Sequence, residues 1–148
     1  MSDIRRVDLL LADDDLDDRD LFEMAVKDLN LEVDLTMVSN GEQLLNQLNL
    51  KKSPPDILFL DLNMPRINGF ECLKEIKQSE RLRNIPVIIY STSIGEHAAN
   101  QLYEDGAFLY VQKPDKFSKL KDIIHEVFRM TMSRKEDRLF RNQFILTL

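Results

Sequence analysis

Five short apolar runs, each followed by residues at helical spacing, limit this chain to very few folds. Val7, Leu9, Leu10 and Leu11 stop at Asp13, Asp14 and Asp15, and Leu21, Phe22, Ala25, Val26 and Leu29 then recur at helical intervals. Val33, Leu35 and Met37 alternate with Asp34 and Thr36, the pattern of a strand with one wet face near a sheet edge. Ser39, Asn40 and Gly41 mark a turn before a second helix carrying Leu44, Leu45 and Leu48, which Pro54 and Pro55 exclude from continuing. Ile57 to Leu60 is continuously apolar, as a strand covered on both faces should be. Asn68 and Gly69 open a third helix with Phe70, Leu73 and Ile76 on one side, and Pro86 leads into a fourth strand, Val87 to Tyr90. Ile94, Ala98 and Leu102 predict a fourth helix ending near Gly106. Phe108 to Val111 reads as a fifth strand, and Phe117, Leu120, Ile123, Ile124, Val127 and Phe128 as the clearest amphipathic helix.

Alternation of this kind predicts an α/β fold: a doubly wound, five-stranded parallel sheet with helices on both faces. The 148 residues amount to one domain, expected over residues 1–130, followed by a tail over 131–148. With 20 basic and 26 acidic residues the net charge is −6, which gives no electrostatic reason to coat nucleic acid or an anionic membrane. The single cysteine, Cys72, forms neither an internal disulfide nor a cysteine zinc cluster and is expected to be buried in a helix. Leu9 to Ala12 is too short for a signal segment or membrane span, and Arg5 and Arg6 precede no long apolar stretch, so a cytoplasmic chain is expected.

In doubly wound sheets ligands sit beyond the carboxyl ends of the strands. Asp13, Asp14 and Asp15 follow the first strand, Asp61, Leu62, Asn63, Met64 and Pro65 the third, Ser91, Thr92 and Ser93 the fourth, and Lys113 and Pro114 the fifth. Carboxylates about 5 Å apart repel by roughly 3 kcal/mol per pair at an effective dielectric of 20, so Asp13, Asp14 and Asp61 call for a cation between them. Magnesium suits such a set, being hard and content with one or two carboxylates plus water and phosphate oxygens. Lys113 and Ser91 can then contact an incoming phosphoryl group, which leaves Asp61 as the nucleophile that becomes an aspartyl phosphate.

These motifs, in this order and spacing, resemble the response-regulator receiver domain of two-component signalling over about Ile4 to Met130. The resemblance implies a flavodoxin-like (βα)5 fold with strand order 2-1-3-4-5. It implies Asp61 as phosphoacceptor and a Mg2+ site of Asp14 directly, Asp13 through water, Asp61 and the backbone carbonyl of Asn63. Ser91 matches the switch hydroxyl, Lys113 the lysine that contacts the phosphoryl group, and Tyr110 the aromatic that turns inward, although by itself Tyr110 is equally a fixed core aromatic. The same resemblance implies a cis bond before Pro114, where the sequence alone leaves trans as the default. Implied partners are a sensor histidine kinase and a downstream protein target or phosphotransfer protein. The acidic start is similar to receivers paired with bacterial phytochrome kinases.

Asp15, Asp17, Asp18 and Asp20 read as a solvated helix start at the positive end of the helix dipole. A calcium loop fails because Asp18 stands where glycine is needed and Met24 where the last glutamate is needed. The rival from another class is a small Mg2+ phosphohydrolase using an aspartyl phosphate. It would place its nucleophile after the first strand and carry a cap, for which no insertion is long enough. A pure docking module without phosphorylation leaves the acidic set unexplained. Met24 and Met64 are expected as core fillers, and His97 and His125 as surface or packing residues. Thr131 to Leu148 is too short for an effector domain, so the output is expected to be a protein contact. Ser133 to Arg138 is strongly charged, and Leu139, Phe140, Phe144, Ile145, Leu146 and Leu148 are poorly suited to water. The tail is therefore expected to pack back on the domain, as an added strand for example, or to serve in a homodimer.

Overall fold

A computed structural model describes residues 6–93, 95–133 and 138–147. The five β–α units appear in order: β1 (Val7–Ala12), α1 (Leu16–Asp28), β2 (Val33–Val38), α2 (Gly41–Leu50), β3 (Ile57–Leu60), α3 (Gly69–Gln78), β4 (Val87–Ser91), α4 (Glu96–Glu104), β5 (Leu109–Gln112) and α5 (Phe117–Ser133). A 3-10 turn (Arg141–Gln143) then leads into β6 (Ile145–Leu146). The sheet is parallel throughout, in the order β2-β1-β3-β4-β5-β6.

The sheet therefore has six strands, not the expected five. Tyr110 pairs with Ile145 and Val111 with Leu146, and the Tyr110 N–H donates to the Phe144 carbonyl at 2.9 Å. A two-residue strand leaves too short an alternation to read from sequence, but it satisfies backbone groups that β5 would otherwise expose at the edge. Ile94, Leu148 and the charged residues 134–137 lie outside the described residues.

Two cores form because β1, β3, β4 and β5 are covered on both faces. On one face Leu9, Leu11, Ile57, Phe59, Ile88, Leu109 and Val111 meet Phe22, Ala25 and Val26 of α1 and Leu120, Ile123, Ile124 and Val127 of α5. On the other, Leu10, Ala12, Leu58, Leu60, Val87, Ile89 and Tyr110 meet side chains of α2, α3 and α4. Cys72 is buried there, as is Met64. Met24 corrects the sequence reading. It falls on the side of α1 opposite the Phe22–Ala25–Val26 stripe and is 56% exposed. β2 is the wet edge expected of it, with Asp34 exposed and bonded to the Arg6 guanidinium at 2.8 Å.

The tail closes over the β5 edge. Phe144 is fully buried, edge-on to Tyr103 (5.3 Å between centroids) and Tyr110 (6.1 Å). The Tyr103 hydroxyl donates to the Leu139 carbonyl at 2.6 Å, and Arg141 bridges Glu96 and Asn100 on α4, each at 2.8 Å. Among the described residues no helix is long and apolar enough to cross a membrane.

Candidate functional site

Backbone hydrogen bonds align the carboxyl ends of the central strands. The Asp13 N–H donates to the Val38 carbonyl (3.0 Å), that of Asp61 to Ala12 (2.9 Å) and that of Lys113 to Ser91 (2.7 Å). The residues after β1, β3, β4 and β5 are thereby held at one rim. The β3–α3 loop is fixed by a tight approach. The Gly69 N–H reaches the Leu62 carbonyl at 2.9 Å, and a Cβ on Gly69 would lie 2.4 Å from the Asp61 carbonyl oxygen. Asn68 caps α3 through a reciprocal box with Glu71.

Asp13, Asp14 and Asp61 each offer a carboxylate oxygen, and these atoms lie within 4.8 Å of one another. Asp13 and Asp61 are buried and Asp14 is exposed, so the cluster opens to solvent on one side. Lys113 enters from β5, its Nζ 2.8 Å from Asp13 Oδ2, 2.9 Å from Asp18 Oδ2 and 3.4 Å from Asp61 Oδ2. Asp61 Oδ1 also accepts from the Asn63 N–H at 3.3 Å, and Asp13 Oδ1 from the Asp15 N–H at 3.0 Å. Asn63 is itself exposed at the mouth.

Burial pushes the Asp61 carboxyl up from an ordinary 3.8 to about 6. The charge of Lys113 and the Asn63 N–H pull the other way, and Asp13 adds to the rise. Burial would lower the Lys113 ammonium, but its bonds to Asp13 and Asp18 and the charges of Asp13 and Asp61 outweigh that and hold it above its usual range. The site thus keeps a charged lysine beside a carboxylate whose ionisation is already difficult.

Ser91 is 1% exposed, and its hydroxyl has no hydrogen-bond partner among the described residues. A buried, unpaired hydroxyl costs about 1–3 kcal/mol, and Ser91 sits at the end of β4, its carbonyl accepting from the Lys113 N–H at 2.7 Å. Tyr110 is buried on the other face, its hydroxyl donating to the Ser93 carbonyl at 2.8 Å. Burial raises that phenol. Among the described residues no peptide bond is cis, so the bond before Pro114 is trans, and Lys113 reaches the carboxylates from that geometry.

Of the candidate site residues, Asp13, Asp14, Asp61 and Lys113 meet at this rim, Asn63 is tied to Asp61 through its N–H and Ser91 to Lys113 through its carbonyl, and Tyr110 bonds instead to the Ser93 carbonyl. Asp18 was missed there. The sequence makes it one of several solvated helix-start aspartates, yet it pairs with Lys113 across 95 residues. Its place in the first turn of α1, three residues after the N-cap Asp15, is the signal that could have put it next to the rim. Tyr90 was also passed over, and its ring lies 5.4 Å from the Lys113 ammonium.

Comparison with known proteins identifies the family and the fold. The response regulator receiver domain family model matches residues 9–125. The probable methanogenesis regulatory protein FilR2 of Methanothrix harundinacea is 32% identical over 123 residues, covering 80% of this chain and 79% of that protein. Other relatives, 33% identical, are longer, and the chain spans 58% and 39% of their lengths. Among solved structures, the phosphorylated cyanobacterial phytochrome response regulator RcpA superposes with a TM-score of 0.80 at 28% identity, over 87% of this chain and 96% of that one. The Mn(2+)-bound response regulator Rcp1 gives 0.77 at 25%, over 87% and 97%.

Proposed function

The chain belongs to the response regulator receiver family, and from that premise we propose that Asp61 accepts a phosphoryl group from the phosphohistidine of a sensor kinase. The observation that carries this reading is the convergence of Asp13, Asp14 and Asp61 within 4.8 Å with Lys113 against them. An Asp61 carboxylate oxygen attacks phosphorus in line, the P–N bond breaks, and its electron pair leaves on the imidazole nitrogen. Family membership makes this a signalling phosphoacceptor; any turnover of the aspartyl phosphate occurs on the chain's own carboxylate.

The donor set fits Mg2+: hard oxygens only, from two buried carboxylates and one exposed to solvent. Asp14, Asp61 and the Asn63 carbonyl would hold the ion and Asp13 would act through water; when bound, it supplies charge neutralisation for the transferring phosphoryl oxygens. Lys113 neutralises a further oxygen, and the unpaired Ser91 hydroxyl donates to another. Tyr110 is the residue that would respond to phosphorylation, because its hydroxyl is bonded to the loop after β4 that carries Ser93.

The likeness to phytochrome response regulators makes a light-sensing or related histidine kinase the proposed phosphodonor, and a protein the proposed target, in the cytoplasm. The tail is read as part of the receiver, supported by the β5–β6 pairing and the burial of Phe144. The test is beryllofluoride with Mg2+, followed by fluorine NMR. Bound fluoride signals are expected for the wild-type chain and none for Asp61→Asn; an unchanged wild-type spectrum rejects the phosphoacceptor reading.

A further inference from the structure

Lys113 is held by three carboxylates, but only two of them belong to the cluster that can share a cation. Asp13 and Asp61 do; Asp18 does not. The ammonium nevertheless lies 0.5 Å nearer to Asp18 (2.9 Å) than to Asp61 (3.4 Å). Asp18 is well fixed for this task. Its own N–H is tied to the Asp15 side chain at 2.9 Å, which locks the first turn of α1 under the lysine. It is also the solvent-facing partner, with a side chain 31% exposed against 9% for Lys113 and none for Asp13. On its other side the ammonium meets the ring of Tyr90, 5.4 Å from the centroid, within reach of a cation–π contact.

A divalent cation entering the cluster must take carboxylates that already neutralise an ammonium. Two cations drawing on the same buried oxygens repel, and in a poorly solvated rim that repulsion is weakly screened. Without a carboxylate of its own, the lysine would either resist the metal or leave the site. We propose that Asp18 is a positioning residue that gives the Lys113 ammonium a separate anion, so that Asp13 and Asp61 can turn to a divalent cation while the lysine stays at the rim. Only the identity of the cation rests on the receiver reading; the lysine's three-way pairing is independent of it. Asp18 lies outside the cation cluster and, as a positioning residue, acts on it through its ion pair with Lys113.

The test is Mg2+ titration of the full chain by calorimetry, in four forms: wild type, Asp18→Asn, Lys113→Met and the double variant. Removing the Asp18 charge should weaken Mg2+ binding by roughly two- to tenfold, the range for a partly exposed charge pair. Lys113→Met should tighten it, by deleting the competing cation. The double variant should then match Lys113→Met within about twofold, because Asp18 has nothing left to act through. Asp18→Glu should restore binding part-way. Asp18→Ser, a small residue suited to a first helical turn, is expected to repeat the asparagine result and shows that the effect is not a folding defect. Two results overturn the proposal: unchanged affinity in Asp18→Asn, or an equal loss with and without Lys113, which would make Asp18 a mere distant charge. If wild type itself binds no Mg2+, the receiver reading falls and this proposal with it, an outcome recognisably different from failure of the Asp18 variants alone.

Discussion

At the scale of single residues, the energetics turn on Asp61. Its carboxyl titrates near 6 in the folded chain against 3.8 ordinarily, because burial disfavours the charge more than Lys113 and Asn63 favour it. The folded state therefore holds more protons than the unfolded state between about pH 4 and 6, and stability falls as pH rises through that window. Above it the penalty is fully present. Asp61→Asn removes it, so denaturant unfolding without metal should show the variant more stable than wild type by about 1–3 kcal/mol at pH 8. The difference should shrink to near zero at pH 4; a variant less stable at pH 8 would contradict the crowded-carboxylate picture. Ser91→Ala follows related logic. It deletes a buried hydroxyl with no partner among the described residues, so the metal-free chain should be unchanged or gain up to about 1 kcal/mol, read as melting temperature. These residue types were legible in the sequence as a set because their chemistry is coherent only together. Asp18 was not, since its partner is 95 residues away and one of six aspartates among eight residues carries no mark of its own.

At the scale of elements, the β–α alternation was readable because strands covered on both faces leave continuous apolar runs such as Ile57–Leu60, and helices leave stripes such as Phe22–Ala25–Val26. What a run does not reveal is how closely its ends approach other backbone. Gly69 is the instance that matters for the site: a methyl group there would press on the Asp61 carbonyl at 2.4 Å and on the Leu62 Cα at 2.8 Å. Gly69→Ala should therefore cost about 1–3 kcal/mol of stability by overpacking and shift the β3–α3 loop that carries Asn63. Urea unfolding measures the first effect, and a drop in Mg2+ affinity the second. Asn68→Ala, which deletes only the cap of α3, should cost about 1 kcal/mol without that drop in affinity. Exposed Met24 shows the opposite limit, an apolar residue that composition assigns to the core and helical phase assigns to water.

At the scale of the whole molecule, the tail turns a five-stranded plan into a six-stranded sheet. Its apolar composition signalled that it needed cover, but a two-residue strand and one wedge are too brief for any periodicity to announce. Phe144 ties the two ends of this arrangement together, filling the space between Tyr103 of α4 and Tyr110 of β5. Phe144→Ala should cost about 3–5 kcal/mol, as a fully buried phenylalanine does, and deletion of residues 139–148 should lower the melting temperature. An unaltered melting temperature would mean that the tail is not part of the folded unit. The domain-scale consequence is that Tyr110, bonded at its hydroxyl to the loop after β4, is also packed by the tail, so the site's surroundings extend to the last strand.

The most direct measurement is chemical location of the phosphoryl group. The full chain is incubated with acetyl phosphate and Mg2+, the acyl phosphate is trapped by borohydride reduction, and the peptides are read by mass spectrometry. Reduction at Asp61, dependent on Mg2+ and abolished in Lys113→Met or strongly diminished there, is the expected result. Label at Asp13, Asp14 or Asp18, or no label in any fraction, would contradict the assignment of Asp61 as the acceptor.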